Sequence, residues 1–477
     1  MIDYATDFYI ARSDVSTRML EGRGAVLFHP DTGREKIINS TGAFIWARLD
    51  GSRLPAEIVE EILDNFNDVP HDQVSDDLSV FLNSMTDEGF VSIAQARAAT
   101  GGTARIFPDS GDGPKSLDLS LTGRCNLHCD YCFYSQEMKL LQDLPLDEWL
   151  RFFKELRDLA VQDVCLSGGE VFVRPDLWEL IDALIDNRLR YSILTNGTLV
   201  TEDTLVQFEA GKRRQRLSSI QVSIDGSCAE VHDKSRGRGS FEKAIRGLRL
   251  LMDAGFPVTA RVTVNRHNVD DLDNIAGLLL DDIKIASFGT NDAMPIGSGC
   301  DNQKTITLTP KQQVKAMKTL AGLADKYDGR ITATAGPLAK WRSFQEMEHA
   351  RATGKMSTRW QMGYLTACGC MYGKLSVHHN GIITPCNILA EMELGRINRD
   401  ELTVIWKTHS LLQSLKDRRQ IPMTEVPGCE DCEWAHFCNG SCPGLAYELT
   451  GDVNRANPHD CYYRFLQNTG GMNFELD

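Results

Sequence analysis

Cysteines are the residues of this sequence that most directly suggest chemistry. The chain of 477 residues carries 14 of them; none precedes Cys125, and eight lie between Cys368 and Cys461. Such clustering points to metal sites. The first group, Cys125, Cys129 and Cys132, is spaced CX3CX2C in the segment LSLTGRCNLHCDYCFYSQ. A 4Fe–4S cluster usually takes four thiolates. Three neighbouring cysteines fix three irons and leave the fourth open, where an amine and a carboxylate can chelate. Zinc is an alternative, although the paired CX2C halves of a common zinc site are missing locally. A redox-active disulfide is another.

The remaining cysteines read CGCMYGKLSVHHNGIITPC, then CEDCEWAHFCNGSC, then Cys461. In pattern form, Cys370-X10-Gly381-X4-Cys386 precedes Cys429-X2-Cys432-X5-Cys438-X3-Cys442 and Cys461. Cys368 stands just before Cys370. Zinc stays open here as well. His378, His379 and His436 are possible ligands, with exposed loop positions the plainer expectation. Cys165, Cys228 and Cys300 stand alone. Cys165 lies in an apolar strand pattern and is expected in the core. Cys300 follows GSG near the presumed substrate end.

The elements that must position these residues follow from periodicity. Residues 1–95 read as a small domain. GAVLFHP and REKIIN form a hairpin around PDTG. Ser40 or Thr41 caps a helix with Phe44, Ile45 and Leu49. A second helix carries Ile58, Ile62 and Phe66, and a third Val74, Leu78, Phe81, Leu82 and Met85. The strand FVSI follows, and the unit is winged-helix-like. Residues 96–115 are rich in Gly, Pro and small polar residues and read as a linker. From 116 to 297 the strands SLDLSL, VQDVCLSG, YSILTNG, SIQVSIDG, VTARVTVN and IKIASFG alternate with helical runs. That alternation predicts an α/β fold, a partial (β/α)6 barrel with ligands at the C-terminal strand ends. Residues 298–350 read as a helical bridge and 351–477 as a Cys-rich domain.

Composition narrows the function classes. The net charge of −15 argues against nucleic acid as a partner. No run of 18 apolar residues spans a membrane. The N-terminus, MIDYATDFYIARSD, has no basic region followed by an apolar stretch, so no secretory signal is expected. A cytoplasmic location is the expectation, and there thiols stay reduced.

CNLHCDYC, with Tyr131 before the third cysteine, resembles the signature of radical SAM enzymes. The likeness extends over 116–297. Ser167-Gly168-Gly169-Glu170 resembles the family motif that binds the methionine amino group. Glycines let a backbone approach a ligand, and Glu170 can accept from an ammonium. Asn196, in TNGT, looks placed to touch the cofactor. Ser223-Ile224-Asp225-Gly226 resembles the ribose-binding strand, with Ser223 first and Asp225 next. The stretch HDKSRGRGSF and the later PIGSG fit one subgroup. Arg236 is the candidate for the methionine carboxylate, with Arg238 as its rival. By this resemblance Cys125, Cys129 and Cys132 hold the catalytic cluster.

The C-terminal pattern resembles the SPASM domain of radical SAM peptide and protein modifiers, which carries two auxiliary 4Fe–4S clusters. The resemblance assigns Cys429, Cys432, Cys438 and Cys461 to one cluster and Cys370, Cys386 and Cys442 to the other. Cys368 either completes the second site or leaves an open iron. The phrase STGAFIWARLDGSRLPAEIVEEI resembles the peptide-recognition element first known from pyrroloquinoline quinone biosynthesis. Its helices carry Asp and Glu, which suits no major groove. In that mode a leader peptide adds a strand to the hairpin edge.

Together the resemblances imply a maturase of a ribosomally made precursor peptide. It would use S-adenosylmethionine, three 4Fe–4S clusters and an electron donor such as flavodoxin or ferredoxin. A 5′-deoxyadenosyl radical would abstract hydrogen, and a thioether or carbon–carbon cross-link would form. The alternatives are a protein side-chain oxidase, resembling anaerobic sulfatase maturases, or a non-catalytic peptide-binding scaffold.

Overall fold

A computed structural model describes residues 6–12, 15–20, 24–29, 34–66, 69–97, 105–107, 113–136, 138, 142–159, 161–358 and 360–471. The chain forms two compact units: Met1–Lys115 with Leu156–Gln162, and Ser116–Glu155 with Asp163–Asp477.

The first unit contains β1 (Phe8–Ala11), β2 (Ser16–Leu20), β3 (Gly24–Phe28), β4 (Glu35–Ile38), β5 (Val91–Ala94) and β6 (Arg105–Phe107). Its helices are α1 (Ser40–Trp46), α2 (Pro55–Asn65) and α3 (His71–Asp87). The expected hairpin is β3–β4, with Ala25 opposite Ile38 and Phe28 opposite Glu35. Its turn, PDTG, lies outside the described residues. β1 pairs with β5, and the larger sheet runs β4-β3-β2-β6. β6 falls inside the stretch read as a linker and pairs in parallel with β2. Only backbone groups are needed to cover a bare strand edge, so side-chain alternation gave no warning of it.

Asn39, rather than Ser40 or Thr41, caps α1. Its side-chain oxygen accepts from the Gly42 N–H at 2.8 Å, because Asn39 is still extended whereas Ser40 already lies inside the helix. α2 begins on Pro55, whose fixed φ suits the first helical position. Ile58, Ile62, Leu78, Leu82 and Met85 pack on Trp46 in one core. The Trp46 indole donates to Thr17 Oγ1 at 2.7 Å. Ile37 on β4 and Val80 on α3 are left out of this core and are 74% and 69% exposed.

The second unit is built on one ten-stranded sheet. The strands are β7 (Ser116–Thr122), β8 (Asp163–Gly168), β9 (Arg190–Thr195), β10 (Leu217–Ser223), β11 (Val258–Val264), β12 (Phe288–Asp292), β13 (Ile331–Ala333), β14 (Lys374–Val377), β15 (Ile382–Thr384) and β16 (Gly395–Arg396). The order is β13-β12-β11-β10-β9-β8-β7-β14-β15-β16. β7 to β12 are neighbours in chain order and parallel. Helices α4 (Leu146–Asp158), α5 (Leu177–Asp186), α6 (Glu202–Glu209), α7 (Arg213–Arg216), α8 (Ala229–Arg236), α9 (Ser240–Asp253) and α10 (Leu272–Ala276) intervene.

Three details differ from the sequence reading. The sixth strand starts at Phe288, after IKIAS, because Lys284 takes a left-handed φ of 64° and breaks the extended run. β13, from the stretch read as a helical bridge, adds in parallel to β12. β14, from the Cys-rich region, adds in parallel to β7. The barrel sheet therefore continues on both sides of its six expected strands.

The two faces of the sheet differ in chemistry. Leu119, Leu166, Ile193, Val222 and Val262 are fully buried. On the other face Asp118, Cys165 and Ser192 are register partners, as are Ser223, Arg261 and Gly289. Cys165 is thus half-buried on the polar face rather than in the apolar core. Burial there pushes its thiol up to about 11. Among the described residues no helix is long and apolar enough to cross a membrane.

Leu82→Ala should cost about 2–5 kcal/mol in urea denaturation, as a large-to-small core change does. Val80→Ala, two residues earlier and on the exposed face, should stay within about 0.5 kcal/mol.

Candidate active site

β7 ends at Thr122 and leads directly into the loop of Cys125, Cys129 and Cys132. The end of β8 closes on that loop through backbone bonds. Gly169 N donates to Thr122 O at 2.8 Å and Glu170 N to Arg124 O at 2.9 Å. A Cβ on Gly168, where φ is +135°, would sit 2.3 Å from Thr122 O, and one on Gly169 would sit 2.1 Å from Arg124 O. From the other side, Ser298 N of PIGSG donates to Cys132 O at 3.0 Å.

A cavity of about 730 Å³ opens here, lined by the three cysteines, Gly168 and Gly169. Tyr131, Asn196, Ser223 and Arg236 also line it. Asn196 is anchored by donating to Asn126 Oδ1 at 2.9 Å and accepting from Thr198 N at 2.9 Å.

Two expected contacts are corrected. Glu170 is buried and accepts three hydrogen bonds: Thr195 Oγ1 and Phe172 N donate to one oxygen and Asn196 N to the other. Its carboxylate is absent from the cavity wall and braces the Asn196 turn. Asp225 is also fully buried. It accepts from Thr263 N at 2.7 Å, from Arg236 Nε at 2.5 Å, and from the Tyr131 hydroxyl. Asp225 therefore orients Tyr131 and Arg236, which do face the cavity. Arg238 is exposed and lies outside the lining.

Arg261 is a lining residue the sequence reading missed. Its guanidinium lies over Gly289, where a Cβ would be 2.9 Å from Nη1. Its Nε donates to Gln221 Oε1 at 2.5 Å. Desolvation alone lowers its pKa. A charged residue in mid-strand VTARVTV was the available signal.

Electrostatics suits this site to thiolates only when a metal is bound. Burial raises the thiols of Cys125, Cys129 and Cys132, with Cys129 reaching about 12. Arg236 opposes the rise at all three. A coordinating metal deprotonates a thiol outright.

A second cavity of about 1140 Å³ is lined by all eight C-terminal cysteines. They separate into two quartets. Cys368 and Cys370 share a hydrogen bond that lowers the Cys368 thiol to about 6 and raises that of Cys370. Cys386 is raised to about 12 by burial, helped by Cys442 and Cys368. Cys368 therefore lies near Cys370, Cys386 and Cys442. In the other quartet Cys429 feels Cys461 and Cys432, and Cys438 feels Cys461 and Cys429. Among the described residues no three His, Cys, Asp or Glu side chains converge in single-ion geometry; a cluster of four irons and four sulfides holds its thiolates farther apart.

His378 and His379 are buried, against the expectation of exposed loop positions. The His379 ring meets the Tyr134 hydroxyl at 2.9 Å, and His378 stacks on the Tyr134 ring. They brace the first cysteine loop against the β14–β15 turn. His436 is exposed. Lys340 bridges the walls of the two cavities, at 3.2 Å from Asp292 and 2.7 Å from Asp460. Burial pushes the Asp292 carboxyl up, but Lys340 and His459 together hold it well below the usual range.

The radical SAM superfamily matches residues 119–279, and the SPASM iron–sulfur cluster-binding domain matches residues 368–433. The coenzyme PQQ synthesis protein D family, PqqD, matches residues 24–91. The chain carries a radical SAM domain. The radical SAM domain binds S-adenosylmethionine and a 4Fe–4S cluster, and the SPASM domain binds auxiliary iron–sulfur clusters.

The chain is 28% identical over 359 residues to an AdoMet-dependent heme synthase of Methanosarcina barkeri, covering 74% of this chain and 97% of the relative. It is 33% identical over 220 residues to the mycofactocin maturase MftC of Mycolicibacterium smegmatis, covering 45% of this chain and 54% of the relative. Its fold is similar to that of Streptococcus suis SuiB bound to the precursor peptide SuiA. That match has a TM-score of 0.64 at 13% identity and covers 95% of this chain and 100% of SuiB.

Lys340→Met should lower stability by about 3–5 kcal/mol in a denaturant titration, because Asp292 and Asp460 lose the buried cation between them.

Proposed function

We propose that this enzyme modifies a ribosomally made precursor peptide and forms a thioether or carbon–carbon cross-link in it. The observation that carries the reading is one chain in which a PqqD domain, a radical SAM domain and a SPASM domain follow in order. The heme synthase relative aligns over nearly its whole length yet covers only 74% of this chain. Anaerobic sulfatase maturases, the other enzyme class considered, lack a leader-binding domain, so the PqqD match weighs against them as well.

Cys125, Cys129 and Cys132 would hold the first cluster. Cys368, Cys370, Cys386 and Cys442 would hold one auxiliary cluster, fully ligated, and Cys429, Cys432, Cys438 and Cys461 the other. When bound, the first cluster and S-adenosylmethionine supply hydrogen-abstracting chemistry, and the auxiliary clusters supply electron acceptors. The glycine backbone at Gly168 and Gly169 would receive the methionine amine. Ser223 and Asn196 would position the nucleoside, with Tyr131 held in place by Asp225. Arg236 or Arg261 would meet the methionine carboxylate; only Arg261 is free of an acidic partner. The electron donor would be a flavodoxin or ferredoxin, and the location cytoplasmic.

The leader would add to β4. β3 is flanked by β2 and β4, and β6 occupies the far edge of β2, which leaves β4 as the hairpin edge without a further strand among the described residues. Strand addition takes affinity from backbone bonds and specificity from neighbouring side chains. Ile37 and Val80 offer exposed apolar surface on β4 and α3.

Two outcomes test this reading. Cys125→Ala should abolish 5′-deoxyadenosine formation in anaerobic incubations with dithionite and S-adenosylmethionine; continued cleavage would refute the central claim. Paired Ile37→Asp and Val80→Asp changes should weaken binding of the peptide encoded beside the gene at least tenfold, about 1.4 kcal/mol, by fluorescence anisotropy, with cofactor cleavage unchanged. Peptide modification that survives both changes would favour a side-chain oxidase.

A further inference from the structure

Arg418 follows the helix Ser410–Asp417, at the start of a short turn. It is 1% exposed, among the largest fully buried side chains. Among the described residues its Nε and Nη2 atoms have no hydrogen-bond partner. A guanidinium stays charged inside proteins, so burying one without an anion is strongly unfavourable.

Its surroundings point to the missing anion. The helix Ser410–Asp417 packs against the short helix Cys370–Gly373, which brings Arg418 to the quartet's loop, where the charges acting on it include Tyr372, Cys368, Cys442 and Asp452. The Tyr372 hydroxyl is already used, donating to Lys416 O at 2.7 Å. Asp452 is 45% exposed and faces Arg455 at 4.0 Å. That leaves the thiols of Cys368 and Cys442, two members of one quartet.

Other cations beside cysteine groups are compensated. Lys374, which also influences Cys368, is bound to Asp118 at 2.9 Å. Arg236, beside the first cysteines, is bound to Asp225. Lys340, near the Cys461 quartet, has both Asp292 and Asp460. Arg418 has no such carboxylate.

We propose that Arg418 is the counter-cation of a 4Fe–4S cluster held by Cys368, Cys370, Cys386 and Cys442, and that it raises that cluster's reduction potential. This rests on the cluster assignment proposed above. A cluster with four thiolates gains one negative charge on one-electron reduction. A fixed positive charge and N–H donors near its sulfurs favour the more negative form. Arg418 thereby makes this quartet the easier place for an electron leaving the peptide to settle.

The test uses the full chain, reconstituted with clusters, in a Cys125→Ala/Cys129→Ala/Cys132→Ala background that leaves only the auxiliary sites. An EPR-monitored redox titration then follows two one-electron steps. Arg418→Gln should make one step at least tenfold less favourable, a shift of about 59 mV to more negative potential, and leave the other in place. Arg418→Lys, which keeps the charge, should recover most of the shift and also serves if the glutamine variant folds poorly. An unmoved potential at full iron and sulfide content overturns the role of Arg418. If Cys386→Ala/Cys442→Ala loses no iron, the cluster assignment itself fails, and the inference with it. The iron count thus tells one failure from the other.

Discussion

The contact on which the site depends is backbone against backbone. The end of β8 lies on the cysteine loop at a distance that no side chain at Gly168 or Gly169 would permit. The same peptides then form a wall of the cavity that the three cysteines share. Glu170 extends this arrangement by tying the end of β9 to the end of β8. The third strand, which carries Asn196, is thereby held in register with the first two. Strand ends that flexed independently could not keep three thiols and a ligand-binding turn in one geometry.

A second constraint is charge. Buried thiolates and carboxylates need cations, and the second unit supplies them in place. Asp225 gathers Arg236 and Tyr131, Lys340 sits between Asp292 and Asp460, and Lys374 meets Asp118. These groups come from distant parts of the chain. Lys340 is on a helix after β13, whereas Asp460 adjoins Cys461. Their pairing links the radical SAM strands to the cysteine-rich region, as β14 also does by joining β7. The C-terminal region thus extends the same sheet rather than hanging from it as an appendage.

The polar face of the sheet fits this use. In a closed barrel the interior is filled by layers of branched side chains. Here the corresponding face carries Asp118, Ser192, Ser223 and Arg261 beside glycine, and it lines a cavity instead of a core. Apolar packing is confined to the opposite face, beneath the helices.

The sequence by itself determined what depends on local spacing and period. Three cysteines in one loop, glycines at a strand end, alternating strands and helices, and amphipathic helices in the first 95 residues can all be read one segment at a time. Tertiary structure alone decided what depends on which segments meet. Cys368 joins a quartet because the chain folds it beside Cys386 and Cys442. Glu170 and Asp225 lie behind the cavity wall because neighbouring segments offer them donors. His378 and His379 are buried because Tyr134, some 240 residues earlier, packs on them. β6 could not be read because edge pairing uses the backbone, which has no sequence signature. Arg418 is a charged residue in a short turn until its surroundings show it buried without a counterion. Local patterns record the propensities of a segment, whereas partners, burial and charge balance are properties of the assembled molecule.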